Sequence, residues 1–173
     1  MKILIAEDEP SIASAYKLAL EPRGHGVTIT SDGEECLDAY RRAITQRTTK
    51  VKEGAYIAPF DAALLDYRMP KKDGLEVAKE ILAVEPRQRI IFASAYVRIT
   101  LEESVKELGM VVELLQKPFS LKSFIDTLED TEIFDKIKAF NANAKNIQSR
   151  HLNHDQINDL LAGLRVIMKE KTF

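Results

Sequence analysis

Four short apolar runs in this chain each lead into a residue able to do chemistry. Ile3-Leu4-Ile5-Ala6 runs into Glu7-Asp8, Ala62-Ala63-Leu64-Leu65 into Asp66, and Ile90-Ile91-Phe92-Ala93 into Ser94. Val111-Val112-Glu113-Leu114-Leu115 reaches Lys117 across Gln116. Carboxylates gathered in one place repel one another unless protons or a cation intervene. A hard divalent cation is the simplest remedy. Mg²⁺ fits best, because it takes oxygen ligands, keeps several waters and works beside a phosphoryl group with one or two carboxylates. A lysine on the same rim pairs with a carboxylate in one state and with an added phosphoryl oxygen in another, and Ser94 offers a hydroxyl donor. Carboxylate nucleophiles form acyl phosphates, and fixed cations stabilise the charge on the transferring group. The set predicts phosphoryl chemistry on Asp66.

Such a site needs elements that deliver all four run ends to one edge. A parallel sheet with helical crossovers does so, since its strand carboxyl ends share an edge where ligands bind at the reversal of strand order. Apolar runs alternate with helical patterns over the first three quarters of the sequence, as such a sheet requires. Pro10 opens a helix with apolar spacing at Ile12, Ala15, Tyr16 and Ala19, and Pro22 and Gly24 stop it. Val27-Thr28-Ile29 reads as the second strand. Asp32 with Glu35, Asp73 with Glu76 and Thr100 with Glu103 read as capping boxes, and Ser120 as the N-cap of the helix carrying Phe124 and Leu128. The helix after Asp32 is expected to run to about Ile44, and Gly109 to end the one after Thr100. The expected architecture is α/β, with five βα units.

Two segments fall outside this plan. Residues 45–60 form a basic connection longer than the usual αβ loop by roughly ten residues, and are expected to be an insertion. From Thr131 onward the pattern is helical without a strand, through Ile133, Phe134, Ile137 and Phe140, then after Asn153 through Ile157, Leu160, Leu164 and Ile167. The expected division is 1–130 for the sheet domain and 131–173 for a helical extension.

Composition narrows the function classes. The 173 residues are 45% apolar and 30% charged, ordinary for one globular core. A net charge of −2 gives no global basic field to draw the chain to nucleic acid or an anionic membrane. The one cysteine, Cys36, makes no internal disulfide and reads as a packing residue; no apolar run approaches the roughly 20 residues of a membrane helix. Met1 leads straight into a strand-like segment with no signal-peptide pattern, so a cytoplasmic protein is expected.

The Glu7-Asp8-Glu9-Pro10 run, Leu64-Leu65-Asp66-Tyr67-Arg68-Met69-Pro70-Lys71-Lys72-Asp73-Gly74, Ser94-Ala95 and Lys117-Pro118-Phe119 together resemble the receiver domain of bacterial and archaeal response regulators. The resemblance spans about residues 1–130. It implies a flavodoxin-like, doubly wound sheet of order 2-1-3-4-5 and phosphorylation of Asp66 by a histidine kinase. It also implies Mg²⁺ held by Asp8, Asp66 and the Arg68 carbonyl, with Glu7 acting through metal-bound water. Ser94, Ala95 and Lys117 fall at the phosphoryl-binding and switch positions, and Lys117-Pro118 at the family's cis peptide. Two positions depart from the commonest pattern: Ser94 replaces a threonine, and Leu114, three before Lys117, replaces an aromatic relay residue. Arg68 and Tyr96 lie where family members tune phosphoryl lifetime, and their bulk is expected to slow hydrolysis.

Other readings compete. A haloacid-dehalogenase-type phosphatase also uses an Asp nucleophile with Mg²⁺, but wants it after the first strand and a second Asp where this chain has Arg68. A DNA-binding transcriptional regulator would need a helix-turn-helix or basic surface that the charge-balanced tail does not show. His151 and His154 lack further metal ligands nearby. The expected partners are therefore a histidine kinase and a downstream protein, with homodimerisation through the C-terminal helices as a further use of their apolar stripes.

Overall fold

In chain order the elements are β1 (Lys2–Ala6), α1 (Pro10–Leu20), a 3₁₀ turn (Glu21–Arg23), β2 (Gly26–Thr30), α2 (Gly33–Thr48), β3 (Ala62–Asp66), α3 (Gly74–Val84) and β4 (Ile90–Ser94). They continue with α4 (Val97–Leu108), β5 (Glu113–Gln116), α5 (Leu121–Glu129) and α6 (Glu132–Asn143). This computed structural model describes residues 1–48 and 58–143. Contacts divide the chain into two units, Met1–Ser94 and Ala95–Phe173.

The sheet has five strands in the order β2-β1-β3-β4-β5, the flavodoxin-like order expected from the sequence. β1 pairs in parallel with β2 (Ile5 opposite Ile29) and with β3 (Ile5 opposite Leu64), and β3 pairs in parallel with β4 (Leu65 opposite Phe92). Every residue of β3 and β4 is buried, as is β1 beyond Lys2. Their unbroken apolar runs follow from helices covering both faces of a parallel sheet. Each Leu, Ile or Phe so buried contributes about 1.5–3 kcal/mol.

Local signals set most helix starts. Pro10 occupies the first turn of α1. Asp73 and Glu76 form the full capping box of α3, with Asp73 Oδ1 accepting from Glu76 N–H at 2.9 Å and Glu76 Oε2 accepting from Asp73 N–H at 3.0 Å. Ser120 caps α5 by accepting from Ser123 N–H at 3.0 Å. Asp32 likewise accepts from Glu35 N–H at 2.8 Å, but Glu35 returns its bond to Ser31 N–H at 2.7 Å, one residue earlier than a capping box requires.

Three boundaries differ from expectation. α2 continues past Ile44 to Thr48, where the Thr45 hydroxyl donates to the Arg41 carbonyl at 3.1 Å, so the segment 45–60 begins as helix. The far end of that segment is core: Phe60 is buried, its ring centroid lies 5.9 Å from that of Tyr40, and its carbonyl accepts from Gln88 Nε2 at 3.0 Å. Gln88 Oε1 accepts in turn from the Tyr40 hydroxyl at 2.9 Å. Residues 49–57 lie outside the described residues.

Thr100 is not an N-cap. α4 starts earlier, with Thr100 N–H donating to the Tyr96 carbonyl at 3.0 Å, and Thr100, Leu101 and Ser104 form its buried stripe. β5 begins at Glu113 rather than Val111, because both backbone polar groups of Val111 bond the Asn141 side chain of α6. The second helical stretch expected after Asn153, with His151 and His154, lies outside the described residues.

Candidate metal centre

Glu7 and Asp8 follow β1, and Asp66 ends β3, its neighbour in the sheet. Glu7 N–H donates to the Thr30 carbonyl at 3.1 Å, carrying the β1–β2 ladder one residue past the β1 terminus and holding the start of the acidic pair in line with the strand. One carboxylate oxygen each from Glu7, Asp8 and Asp66 lie within 4.8 Å of one another. Glu7 and Asp66 are buried and Asp8 is exposed, so the cluster opens to solvent on one side.

The donor set suits a hard cation. All three ligands are carboxylate oxygens, with neither the nitrogen nor the sulfur donors that mark zinc sites. An exposed side leaves room for the waters Mg²⁺ retains. Tyr16 reports the negative field from within: buried on α1, its phenol is pushed well above the ordinary range, first by burial, then by the charges of Glu7 and Asp66.

The loop after Asp66 is folded tightly. Asp66 lies opposite Ala93 in the β3–β4 register, and Tyr67 N–H donates to the Ala93 carbonyl at 3.0 Å. Arg68 N–H donates to Asp66 Oδ1 at 3.3 Å, Lys72 N–H to the Pro70 carbonyl at 2.8 Å, and Gly74 N–H to the Tyr67 carbonyl at 3.1 Å. Gly74 has to lack a Cβ, because one there would run into the Asp66 carbonyl and sit 3.1 Å from Tyr67 Cα. Lys71 has φ 65°, the left-handed region that costs an ordinary residue about 1–2 kcal/mol.

Its ammonium lies 2.6 Å from Asp32 Oδ2 and 3.7 Å from Glu34 Oε2. Asp8, Arg68, Met69, Pro70, Lys71, Asp73 and Glu76 line an open cavity of about 550 Å³ beside the acids. Tyr67 is anchored edge-on to Phe92 at 5.4 Å, and the exposed Arg68 lies with its guanidinium carbon 5.5 Å from the Tyr67 ring centroid.

Of the other residues singled out in the sequence, Ser94 is buried at the end of β4, one residue beyond the partner of Asp66. In the second unit Ala95 is exposed, Tyr96 precedes α4 and is 65% exposed, and Leu114 is buried in β5. Lys117 follows β5, is half-buried and precedes Pro118 through a cis peptide bond. Sequence reasoning missed Tyr16, which occupies an apolar helical position. It also missed Lys71, and the second oxygen of Asp32, whose first oxygen alone carries the recognisable cap.

The profile of the response regulator receiver domain matches residues 3–129. The chain belongs to this family. It is thus a receiver of the kind used in two-component signalling. Among its relatives, the alkaline phosphatase synthesis transcriptional regulatory protein PhoP of Bacillus subtilis is 33% identical over 69% of this chain and 43% of that protein. The response regulator receiver protein CpdR of Brucella abortus is 27% identical over 74% of this chain and 93% of CpdR. The chain spans less than half of PhoP and nearly all of CpdR.

The receiver domain of Leptospira biflexa HemR superposes with TM-score 0.55 at 26% identity, over 74% of this chain and 90% of that one. A response regulator receiver domain from Clostridium thermocellum shares the fold, with TM-score 0.59 at 24% identity over 79% of this chain and 98% of that one. Among the described residues no helix is long and apolar enough to cross a membrane.

Proposed function

We propose that Asp66 of this receiver accepts a phosphoryl group from a histidine kinase in a Mg²⁺-dependent reaction, and that the output is a protein–protein contact. The observation that carries this reading is the convergence of Glu7, Asp8 and Asp66 to within 4.8 Å. Asp8, Asp66 and the Arg68 carbonyl would hold the cation, with Glu7 behind bound water. When bound, Mg²⁺ offsets the carboxylate charge and the negative charge on the transferring group. An Asp66 carboxylate oxygen forms the new bond to phosphorus while the P–N bond of the donor phosphohistidine breaks. The departing imidazole takes a proton from solvent. Ser94, Ala95 N–H and Lys117 would then bind the phosphoryl oxygens, and the population of the two states would shift with their change of partners.

This makes the chain a phosphoacceptor that assists its own transfer and dephosphorylation rather than a turnover enzyme, working in the cytoplasm. Residues 1–130 would carry the receiver function and 131–173 the extension. The bulk of Arg68 and Tyr96 would hinder hydrolytic water. Leu114 at the relay position argues for a switch without the aromatic swing. Dimerisation through the C-terminal helices would use their apolar stripes, while within α6 Ile137 is buried and Asn141 is engaged within its own chain. A transcriptional role rests only on the names of relatives such as PhoP, and a phosphatase role is disfavoured by Arg68 in place of a second acid.

The test is labelling by acetyl phosphate with Mg²⁺. Label is expected on the parent chain and on Asp73→Asn, and is expected to vanish in Asp66→Ala and without Mg²⁺. Label persisting in Asp66→Ala would overturn the assignment. An Arg68→Asn, Tyr96→Glu double variant should lose its acyl phosphate faster than the parent; equal decay removes the lifetime role.

A further inference from the structure

The loop from Asp66 to Gly74 is gripped from outside by the start of α2. The two oxygens of Asp32 do different work: Oδ1 accepts from Glu35 N–H at 2.8 Å and fixes the helix start, while Oδ2 meets Lys71 Nζ at 2.6 Å. The Asp32 carboxylate is largely shielded, and Lys71 is about half exposed. Gly33 lies so close to the loop that a Cβ on it would stand 2.6 Å from Lys72 Cβ and 2.8 Å from Val77 Cγ2. The next residue of the loop is tied down too, because Lys72 pairs with Glu80 of α3, which also holds Arg41 of α2 at 3.0 Å. Lys71 itself sits at φ 65°. A lysine keeps that conformation only where its surroundings over-determine it.

The geometry points to Asp32 as a positioning residue for phosphoryl transfer: through Lys71 it clamps the loop that follows Asp66 onto the start of α2, and so sets the Asp66–Arg68 geometry that faces the cation. This rests on the phosphoacceptor reading. Asp32 is not one of the three clustered acids; it acts on the loop. Displacement of reacting groups by about 1 Å suffices to slow a reaction about a hundredfold, so a loosened clamp is expected to be visible in rate even where the fold survives. A single half-exposed ion pair contributes little to stability. Stability and rate therefore separate.

Full-length Asp32→Ser, Lys71→Asn, their double variant and Glu34→Gln are compared with the parent in three measurements. These are melting temperature in EDTA, Mg²⁺ dissociation constant by calorimetry, and initial rate of acetyl phosphate labelling at saturating Mg²⁺. Serine keeps the helix cap, and asparagine tolerates the left-handed conformation better than lysine. Lys71→Asn is expected to melt at or above the parent temperature, yet to bind Mg²⁺ more weakly and to label about tenfold more slowly. Asp32→Ser is expected to match it in both, the double variant to be no slower than the slower single, and Glu34→Gln to equal the parent. Parent-like rates and Mg²⁺ affinities in both single variants overturn the clamp, as does slowing that is additive in the double variant or that only tracks a lowered melting temperature. Absence of label on the parent itself would instead sink the phosphoacceptor reading and this proposal with it.

Discussion

The Asn141 side chain grips the backbone of Val111 from both directions: Nδ2 donates to the Val111 carbonyl at 2.8 Å, and Oδ1 accepts from its N–H at 3.0 Å. An amide presents one donor and one acceptor side by side, as a neighbouring strand would. α6 thereby satisfies the chain just ahead of β5. Val111 itself is buried, so losing this partner leaves two backbone groups poorly hydrated. Asn141→Leu is expected to lower unfolding free energy by about 2 kcal/mol, read from urea denaturation. A chain ending at Asp130 should melt below one ending at Asn143. Equal midpoints would show that α6 adds nothing to the fold.

The close approach of Gly74 to Asp66 makes a second prediction. Gly74→Ala forces a Cβ into the Asp66 carbonyl, which is backbone and has no flexible end to swing aside. The loop must shift, at about 1–3 kcal/mol, and Mg²⁺ affinity should fall with it. Gly26→Ala is the matched control, since its Cβ would meet nothing closer than the Met1 carbonyl at 3.9 Å. The two variants should differ clearly in thermal melts; indistinguishable curves would mean the loop yields at no cost.

How far the sequence foretold these arrangements depended on the range over which each was decided. β1, β3 and β4 were legible because a strand buried on both faces must be apolar throughout, and the Asp73–Glu76 and Ser120 caps were legible because their bonds close within three residues. The acidic cluster could be anticipated from strand ends alone, since parallel order fixes where Glu7, Asp8 and Asp66 emerge. Thr100 misled for the converse reason: Thr100-x-x-Glu103 satisfies a capping pattern, but the residue is fully buried within α4. The β5 start was settled by Asn141, 30 residues away from Val111, and the Lys71 ammonium meets Asp32, which lies outside its own loop. Neither contact leaves a local trace.

Asp32 also predicts an acid dependence. Its carboxyl is held below the usual carboxylate range, first by the Glu35 N–H and next by the Lys71 ammonium. A folded-state pKa below the unfolded one gives stability that is present above the unfolded value and lost as pH falls through the folded value. Seen from the partner, Lys71 is raised chiefly by Asp32, and that contribution is present below the ordinary lysine range and lost only as pH rises past it. The melting temperature of the parent should therefore drop as pH falls below about 4, and the drop should be shallower in Asp32→Ser. Parallel profiles from pH 6 to 3 would remove Asp32 from the acid transition.

Cys36 provides a probe of opening at α2 that leaves the acidic cluster untouched. It is fully buried, and burial above all pushes its thiol up to about 12, with the charges of Glu35 and Asp32 adding to the effect and the Thr30 side chain opposing it. Only the thiolate attacks a disulfide reagent. At pH 8 the native Cys36 thiol therefore stays protonated, and the reagent has no path to it while α2 is packed. Ellman's reagent should consequently label the native chain far more slowly than the urea-unfolded chain, with a native rate that follows the equilibrium population of the opened form. Asp32→Ser, which keeps the cap but frees the loop, should leave this rate near that of the parent if the clamp acts on the loop alone. A large acceleration in that variant would show instead that Asp32 holds α2 itself in place.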